Sequence, residues 1–363
     1  SFPALTEADW KTLAESDYKG RSALILGKFL TDFSAEELAD FAAKAYADEK
    51  FGGADTAPVV KLSEGKNLLE LWHGPTCAFK DMALTLLPHL LKKSCSLTGV
   101  KEDVLILTAT SGDTGKAALE GFKDVAGTKV AVFYPDEGVS KMQRLQMCTQ
   151  DGDNVFVAGV RGNFDDCQRA VKKMFASESF NAELKEKGVR LSSANSINFG
   201  RLVPQIAYYF SAYLDLVSSD QIEAGAAVDF AVPTGNFGDI LAGWYAKKMG
   251  LPVRKLVCAS NRNRVLAEFF AKGVYDAKRP FYRTMSPSMD ILISSNLERL
   301  LYLIAGPEKT ASYMKQLSET GRYEVEKDVL DEIQKNFRAY FCDEEKCAST
   351  IRGMFRKYSY VLD

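Results

Sequence analysis

One segment decides the fold of this chain, Leu68-Leu-Glu-Leu-Trp-His-Gly-Pro-Thr-Cys-Ala-Phe-Lys-Asp-Met-Ala-Leu84. An apolar run ends at Trp72, a Gly-Pro turn follows, and apolar residues then recur at helical spacing. The pattern predicts a strand, a turn, and a helix that begins near Phe79 and reaches Lys93. Pro88 is expected to kink that helix. Lys80 therefore falls in the predicted first turn.

The position of Lys80 gives it a candidate chemical role. A helix N-terminus carries partial positive charge, which disfavours an ammonium group and favours the neutral amine. The neutral amine is the form that attacks an aldehyde. From this segment alone, a solvated surface lysine is the alternative.

Composition and charge narrow the class of protein. The chain has 363 residues, of which 46% are hydrophobic and 26% charged, as in ordinary globular proteins of about two domains. A net charge of -2 with mixed signs argues against nucleic-acid binding. No apolar run is long enough to cross a bilayer, and the first residues do not resemble a signal peptide. We expect a cytoplasmic protein without nucleic-acid or membrane partners.

Cysteine and histidine usage argues against a metal centre. The seven cysteines are scattered and form no Cys-x-x-Cys pair, which is typical of reduced thiols in the cytosol. The only histidines are His73 and His89, too few for a His-rich metal site. We predict no metal ligand. A Ser-His-Asp hydrolase would have to use one of these two histidines.

Apolar runs alternate with helical patterns along most of the chain, which favours βαβ units and parallel sheets. Residues 1–56 look helical, with Ser34 as an N-cap and Glu37 three residues on. Gly162-Asn163 resembles an ordinary helix cap. Residues 326–341 form an amphipathic pattern, which we interpret as a helix without a functional role.

Two glycine-containing loops share one pattern, in which a loop follows an apolar strand and precedes a helix. They are Ser111–Gly115 and Gly235–Asp239. Such loops offer backbone N–H groups to an anion and lie at the carboxyl ends of parallel strands. Neither matches a nucleotide-binding motif. A plain turn is the alternative for one loop, but two loops and Lys80 suggest a phosphorylated aldehyde cofactor with an anionic substrate.

A polar stretch provides a third candidate site, formed by Asn195, Ser196, Asn198 and Arg201. A guanidinium group together with amide and hydroxyl donors binds phosphate or carboxylate. The alternative is a polar turn that caps the following helix.

These motifs together resemble those of threonine synthases that depend on pyridoxal 5'-phosphate. The matching stretches occur in the family's order and are His73–Asp81, Thr108–Gly115, Ser193–Asn198 and Pro233–Asp239. The resemblance covers most of residues 60–260. It is to the longer branch, found in enterobacteria, fungi and the animal threonine-synthase-like proteins.

The resemblance implies an α/β, fold type II, tryptophan synthase β-like architecture. Two open parallel-sheet domains would close over pyridoxal phosphate, with Lys80 at their junction as the Schiff-base lysine. The implied division is a helical segment 1–58, a smaller domain 98–215, and a larger domain of 59–97 with 216–363 that holds the cofactor phosphate.

The resemblance also implies roles for individual residues. Asp113 would stand near the cofactor's ring hydroxyl, where relatives have Asn. The cofactor phosphate would be held by Gly235, Asn236, Phe237, Gly238 and Asp239. The substrate carboxylate would be bound by Thr110, Ser111 and Thr114, and the substrate phosphate by Asn195, Ser196 and Arg201.

Two departures from the family pattern concern the ends of the chain. It starts at Ser1 without an expected N-terminal stretch. It stops at Asp363, before the family's Ser or Thr that pairs with the pyridine nitrogen. We expect a form trimmed at both ends that lacks this ring-nitrogen ligand.

The implied activity converts O-phospho-L-homoserine and water to L-threonine and phosphate by γ-elimination and β-addition, with Lys80 as general base and acid. The motifs leave open a phospho-lyase or dehydratase that releases 2-oxobutanoate. They also leave open a non-catalytic homologue and a phosphate-binding regulatory domain. The expected partner is the small-molecule substrate, and the expected state is a monomer or homodimer.

Overall fold

The computed structural model describes residues 2–110 and 112–362, without the side chain of Asp165. The strands are β1 Val59–Ser63, β2 Lys66–Leu69, β3 Asp103–Ala109, β4 Thr128–Pro135, β5 Val155–Val160, β6 Val189–Ser192, β7 Val228–Pro233, β8 Val253–Ser260, β9 Val274–Asp276, β10 Arg322–Glu324 and β11 Phe337–Phe341. The helices of the first half are α1 Glu7–Glu15, α2 Tyr18–Gly27, α3 Ala35–Ala45, α4 Asp48–Phe51, α5 Asp81–Leu84, α6 Leu87–Leu97, α7 Asp113–Phe122, α8 Lys141–Cys148, α9 Phe164–Ala176 and α10 Glu178–Glu186. The remaining helices are α11 Phe199–Leu202, α12 Pro204–Ser218, α13 Gly238–Lys248, α14 Val265–Lys272, α15 Leu297–Ala305, α16 Pro307–Thr320, α17 Lys327–Asn336 and α18 Glu344–Tyr358, with a 3-10 turn at Pro287–Met289.

Two compact units divide the described residues. One contains residues 6–59 and 69–214, and the other residues 2–5, 60–68 and 215–362. This grouping by compactness places 69–97 with the 98–214 sheet, whereas the sequence division placed 59–97 with 216–363. The functional division into domains stays a prediction.

The first unit is built on a parallel sheet of order β5-β4-β3-β6. Its central strand β3 is nearly continuously apolar, as expected for a strand covered on both faces. On one face, Val104 and Ile106 pack with the apolar residues of α7 and with Leu84 and Leu87. On the other face, Leu107 packs with Val171 of α9. The sheet therefore anchors the segment that follows Lys80.

The second unit contains a parallel sheet of order β11-β8-β7 and a separate antiparallel pair, β10-β9. Each of its parallel strands follows a helix, so the predicted βαβ organisation holds here too. The predicted α/β class with parallel sheets is confirmed. In this sheet, the carboxyl end of β7 leads directly into the loop that precedes α13.

Two helix predictions are wrong. The helix expected from Phe79 to Lys93 is two helices, α5 and α6, separated at Thr85 and Leu86. Pro88 lies in the first turn of α6, where its missing N–H costs no hydrogen bond, so it starts a helix instead of kinking one. The pattern at 326–341 is α17 followed by β11, which pairs with β8.

The predicted local helix signals are confirmed. Ser34 and Glu37 form a reciprocal capping box at the start of α3, and Asn163 caps α9. Within the described residues, no helix is both long and apolar enough to span a membrane. The same residues contain no group of three or more His, Cys, Asp or Glu side chains arranged to hold a metal ion.

Candidate active site

A tight turn fixes the backbone that carries Lys80. The side chain of Asp81 is 1% exposed, and its two oxygens accept hydrogen bonds from Thr76, from the backbone N–H at 2.8 Å and from Oγ1 at 2.6 Å. Cys77 has a left-handed backbone with φ of 56°, and its N–H bonds the Gly74 carbonyl. A Cβ on Gly74 would lie 2.6 Å from Cβ of Asp81. The turn therefore depends on a glycine and on a buried carboxylate.

Lys80 is the residue that immediately precedes α5, rather than a first-turn residue. Its carbonyl oxygen accepts from the N–H groups of Ala83 and Leu84. The residue is 9% exposed, and Nζ lies 3.4 Å from Oδ2 of Asp113. The surface-lysine reading is therefore wrong, and the structure brings together the two predicted residues Lys80 and Asp113.

The amine of Lys80 is biased toward its neutral form. Burial lowers the pKa of Lys80 below its ordinary value, and the positive charge of Arg201 lowers it further. The Asp113 carboxylate acts in the opposite direction, as does Asp81. Burial is the largest of these effects, so the balance favours a nucleophilic amine. Desolvation is thus a cause of the lowered pKa in addition to the helix-terminus charge expected from the sequence.

The loop between β3 and α7 is held by Thr110, which is buried. Its Oγ1 accepts from the N–H groups of Gly112 and Gly115 and donates to the Gly112 carbonyl. This hydroxyl therefore braces the loop from inside. Thr114 is half-buried in the first turn of α7. Ser111 lies outside the described residues.

Asp113 has a further contact that the sequence did not predict. Its Oδ1 accepts a hydrogen bond of 2.7 Å from Nε2 of Gln143, a buried residue of α8. The Gln143 side chain crosses the loop at Gly112, where an added Cβ would lie 2.3 Å from its amide. Asp113 is thus held between an amide on one oxygen and the Lys80 amine on the other.

The polar stretch around Arg201 forms a capped turn. Asn198 caps α11 by accepting from the Gly200 N–H, and its amide donates to the Ser193 carbonyl. Asn195 and Ser196 are half-buried in this turn. The helix-cap reading thus fits Asn198, while α11 packs against α5 and places Arg201 in the environment of Lys80.

Arg201 is a buried cation, with 3% of its surface exposed. Its Nη1 donates to the Ala194 carbonyl at 2.7 Å, while Nε has no hydrogen-bond partner among the described residues. Burial lowers the pKa of Arg201 to about 10. A buried guanidinium with an unused donor is costly unless an anion compensates it, so the group is suited to bind one.

The loop before α13 lies in the second compact unit. Its carbonyls are tied inward, because Gly235 O accepts from Ser294 Oγ at 2.8 Å and Asn236 O accepts from Asn296 Nδ2 at 3.0 Å. In a trans peptide the N–H points opposite to the carbonyl. The N–H groups of Asn236 and Phe237 therefore face away from these two anchors.

Phe237 is the residue that immediately precedes α13. Its backbone is left-handed, with φ of 64°, and its ring is buried against Phe270 and Phe337. Only its backbone is thus available to a ligand. The adjacent Gly238 and the half-buried Asp239 begin α13, whose first-turn N–H groups have no partner within the helix. The loop has the composition of a phosphate cradle.

The residues present fit pyridoxal phosphate when each unit is considered separately. One unit supplies a buried amine with a lowered pKa beside a carboxylate. The other supplies a glycine loop with outward N–H groups, in which a Cβ on Gly235 would lie 3.1 Å from the Cα of Met289. The fold and these two features define the class, an α/β protein built for a phosphorylated aldehyde cofactor.

Comparison with known proteins identifies the family. The family model described as pyridoxal-phosphate dependent enzyme matches residues 68–363, and the chain belongs to this family. The cofactor prediction, pyridoxal phosphate, is confirmed at this level. A solved structure of threonine synthase from Brucella melitensis with bound cofactor is 37% identical and has a TM-score of 0.91, covering 100% of this chain and 76% of that one.

Similar sequences confirm the resemblance to threonine synthases. The human protein named threonine synthase-like 1 is 42% identical over 377 residues, covering 100% of this chain and 50% of that protein. The threonine synthase of Pseudomonas aeruginosa is 40% identical over 341 residues, covering 93% of this chain and 70% of that enzyme. The chain spans about half the length of the threonine synthase-like relatives it matches.

Proposed function

We propose that this protein is a pyridoxal-phosphate-dependent lyase that converts O-phospho-L-homoserine and water to L-threonine and phosphate. The observation that carries the proposal is the buried Lys80 amine beside Asp113, in the same unit as the buried guanidinium of Arg201. A reactive amine and an anion-binding cation are what a phosphorylated amino-acid substrate requires. The similarity to threonine synthases supports the same assignment.

Bound pyridoxal phosphate supplies an electron-withdrawing ring that makes the substrate's carbon–hydrogen bonds acidic. Lys80 would hold the cofactor through its Nζ and, once released, would take and return protons, because burial lowers its pKa and so favours the neutral amine. Asp113 orients that amine from 3.4 Å. The N–H groups of residues 235–239 would hold the cofactor's phosphate.

Arg201 binds the phosphate of the substrate, and Asn195 and Ser196 add polar donors. The unused Nε donor and the burial of Arg201 support this role. A charge-assisted hydrogen bond to phosphate would use the donor and would compensate the buried charge. Thr110, Ser111 and Thr114 belong to the loop assigned to the substrate carboxylate. The Thr110 hydroxyl and the N–H groups of Gly112 and Gly115 are bonded to one another, so Thr110 would contribute by fixing the shape of this loop.

The expected setting is the cytoplasm, where the seven cysteines, all free thiols, stay reduced. The substrate is the expected partner, and the expected state remains a monomer or homodimer.

The experiment compares the chain with two lysine variants after incubation with pyridoxal phosphate and borohydride. Borohydride fixes the cofactor to its lysine, and mass spectrometry identifies the modified peptide. We expect the label on Lys80, its loss in Lys80→Ala, and its retention in Lys141→Ala. Lys141 is a matched control, because it also begins a helix but is exposed. Labelling of a different lysine in the unaltered chain would overturn the assignment.

Product analysis distinguishes the reaction from its alternative. With O-phospho-L-homoserine as substrate, we expect threonine and inorganic phosphate in equal amounts. Release of 2-oxobutanoate with phosphate would identify a phospho-lyase instead. Binding of the cofactor to Lys80 without release of phosphate would identify a non-catalytic homologue.

A further inference from the structure

Gln143 is a residue to which neither the sequence motifs nor the family resemblance gave a role. It lies on α8, 30 residues beyond Asp113, and is 9% exposed. Its amide is used on both sides, because Nε2 donates to Asp113 and Oε1 accepts from the Ser140 N–H at the start of α8. A side chain fixed at both ends is a rigid support, and the group it supports faces Lys80.

The backbone around Gln143 is arranged to admit this contact. Gly112 has φ of 152°, and a Cβ there would lie 2.3 Å from the Cδ and Nε2 atoms of Gln143. Any other residue at 112 would displace the amide from Asp113. The glycine of the loop is therefore explained by the path of Gln143, in addition to the turn itself.

The hydrogen bond from Gln143 to Asp113 affects the protonation of Lys80. An N–H donor on Oδ1 stabilises the charged carboxylate and fixes its rotation, which leaves Oδ2 3.4 Å from Nζ of Lys80. Asp81 and Arg201 are two other charged groups that act strongly on Lys80. Asp81 is held by Thr76 and Arg201 by Ala194, so Asp113 is the group whose position depends on Gln143.

We propose that Gln143 is a positioning residue that holds the Asp113 carboxylate in place and thereby sets the proton affinity of the Lys80 amine. This inference rests on the proposed role of Lys80. It concerns the free amine, however, and is tested without turnover.

The test measures how fast Lys80 reacts with an amine-specific acylating reagent as a function of pH, in the chain from which cofactor has been removed. Reaction follows the neutral amine, so the midpoint of the profile reports the pKa of Lys80. Peptide mass spectrometry isolates Lys80 from the other lysines. Cofactor absorbance across the same pH range, in the reloaded chain, provides a second readout.

Two substitutions at one position should act in opposite directions. Gln143→Met removes this donor from the Asp113 carboxylate, so the attraction of Asp113 for the Lys80 ammonium weakens and Lys80 reacts faster at a fixed pH. Gln143→Glu keeps the acceptor that caps α8 but adds a carboxylate beside Asp113, so Lys80 reacts about tenfold more slowly once that carboxylate is ionised. A purely structural role would shift both variants the same way.

A double-mutant cycle tests whether Gln143 acts through Asp113. Asp113→Ala should accelerate Lys80 labelling, and adding Gln143→Met should then change nothing further. Gln146→Glu is the matched control, with the same chemical change on the same helix, and should leave the profile unaltered. The proposal is overturned if the pH profile of Lys80 labelling is unchanged in both Gln143 variants. It is also overturned if Gln143→Met still changes that profile in a chain that carries Asp113→Ala.

These outcomes are separate from those of the proposed function. Failure of borohydride to label Lys80 removes the catalytic assignment while the Gln143 cycle still reports on the amine. Loss of coupling in the cycle removes the Gln143 role while Lys80 remains labelled. Circular dichroism of the Glu variant, which retains the capping box, checks that the chain is folded.

Discussion

Gly121 should tolerate no side chain, because α7 approaches the Lys80 segment closely there. A Cβ at this position would lie 2.1 Å from the carbonyl oxygen of Leu84 and 2.9 Å from its carbonyl carbon. Leu84 is the last residue of α5, the helix that immediately follows Lys80. Since the clash is with backbone, no rotamer change can relieve it. In Gly121→Ala, α7 or α5 must therefore move.

The magnitude follows from two opposing effects. Close carbon–oxygen contacts in proteins lie near ~3.3 Å, so the two helices must separate by about 1 Å. Overpacking of this kind costs about 1–3 kcal/mol, and a backbone clash belongs to the upper part of that range. Alanine in place of glycine within a helix returns at most about 1 kcal/mol. The cost of the clash exceeds the gain in helix propensity, so we expect a net destabilisation of roughly 1–2 kcal/mol.

Gly353→Ala is the matched control. Gly353 lies within α18, and a Cβ there would meet no atom within 4 Å. Only the propensity effect remains, so this variant should be more stable by up to about 1 kcal/mol.

Hydrogen exchange is the assay, because a chain with two compact units need not unfold in a single transition. Peptides covering α5 and α7 should exchange about 5–30-fold faster in Gly121→Ala. Peptides covering α18 should exchange no faster in Gly353→Ala. If the protection of α5 and α7 from hydrogen exchange is unchanged or improved in Gly121→Ala, the reasoning is refuted. The gain in helix propensity would then equal or exceed the cost of the clash.

Two further predictions concern buried charges. Burial raises the pKa of Asp81, and the hydrogen bond from the Thr76 hydroxyl lowers it. Thr76→Val removes that donor and should lower the free energy of unfolding by about 1–3 kcal/mol at neutral pH. That stabilisation exists only while Asp81 is ionised, and burial raises the pKa of Asp81 in the folded chain. The difference in urea midpoint from the unaltered chain should therefore shrink as the pH falls, starting above the ordinary pKa of an aspartate, and a pH-independent difference would contradict this prediction. Arg201→Met should leave the urea midpoint unchanged or higher, because it removes a costly buried cation, while calorimetry should show inorganic phosphate binding weakened about 10–100-fold. Lost stability with unaltered phosphate binding would show that Arg201 is structural.

The fold class could be predicted from the sequence because its strongest signals are local. Buried parallel strands such as Val104–Ala109 are almost continuously apolar, and helix caps such as Ser34 act within four residues. The stretch 337–341 was wrongly predicted because its apolar residues fit a helix face as well as a strand. Its pairing with Val253–Ser260, some eighty residues earlier, decides between them.

The candidate site was predicted only as far as its motifs extend. Lys80 and Asp113 stand in recognisable loops, and the structure places their side chains together. Gln143 was missed, because its contact with Asp113 crosses 30 residues and an intervening strand. The signal in the sequence was Gly112, because a larger residue there would collide with the Gln143 side chain.

Ser294 and Asn296 were missed for a similar reason. They fasten the carbonyls of the 235–239 loop from about sixty residues away, and no local pattern marks them. The loop's glycines reveal that the backbone bends there, but its outward N–H groups depend on these distant anchors. A motif thus identifies the backbone atoms that are proposed to face the ligand, but it does not identify the distant residues that orient those atoms.

The charges around Lys80 link anion binding to proton transfer. Arg201 lowers the pKa of Lys80, and Asp113 raises it. In the proposed reaction, an anion bound at Arg201 would cancel part of the guanidinium charge, so the proton affinity of Lys80 would rise when a phosphate ester binds. It would fall again when free phosphate leaves. A lysine that must accept a proton while phosphate is bound and give it up afterwards is served by a neighbouring cation in a way that an isolated buried lysine is not.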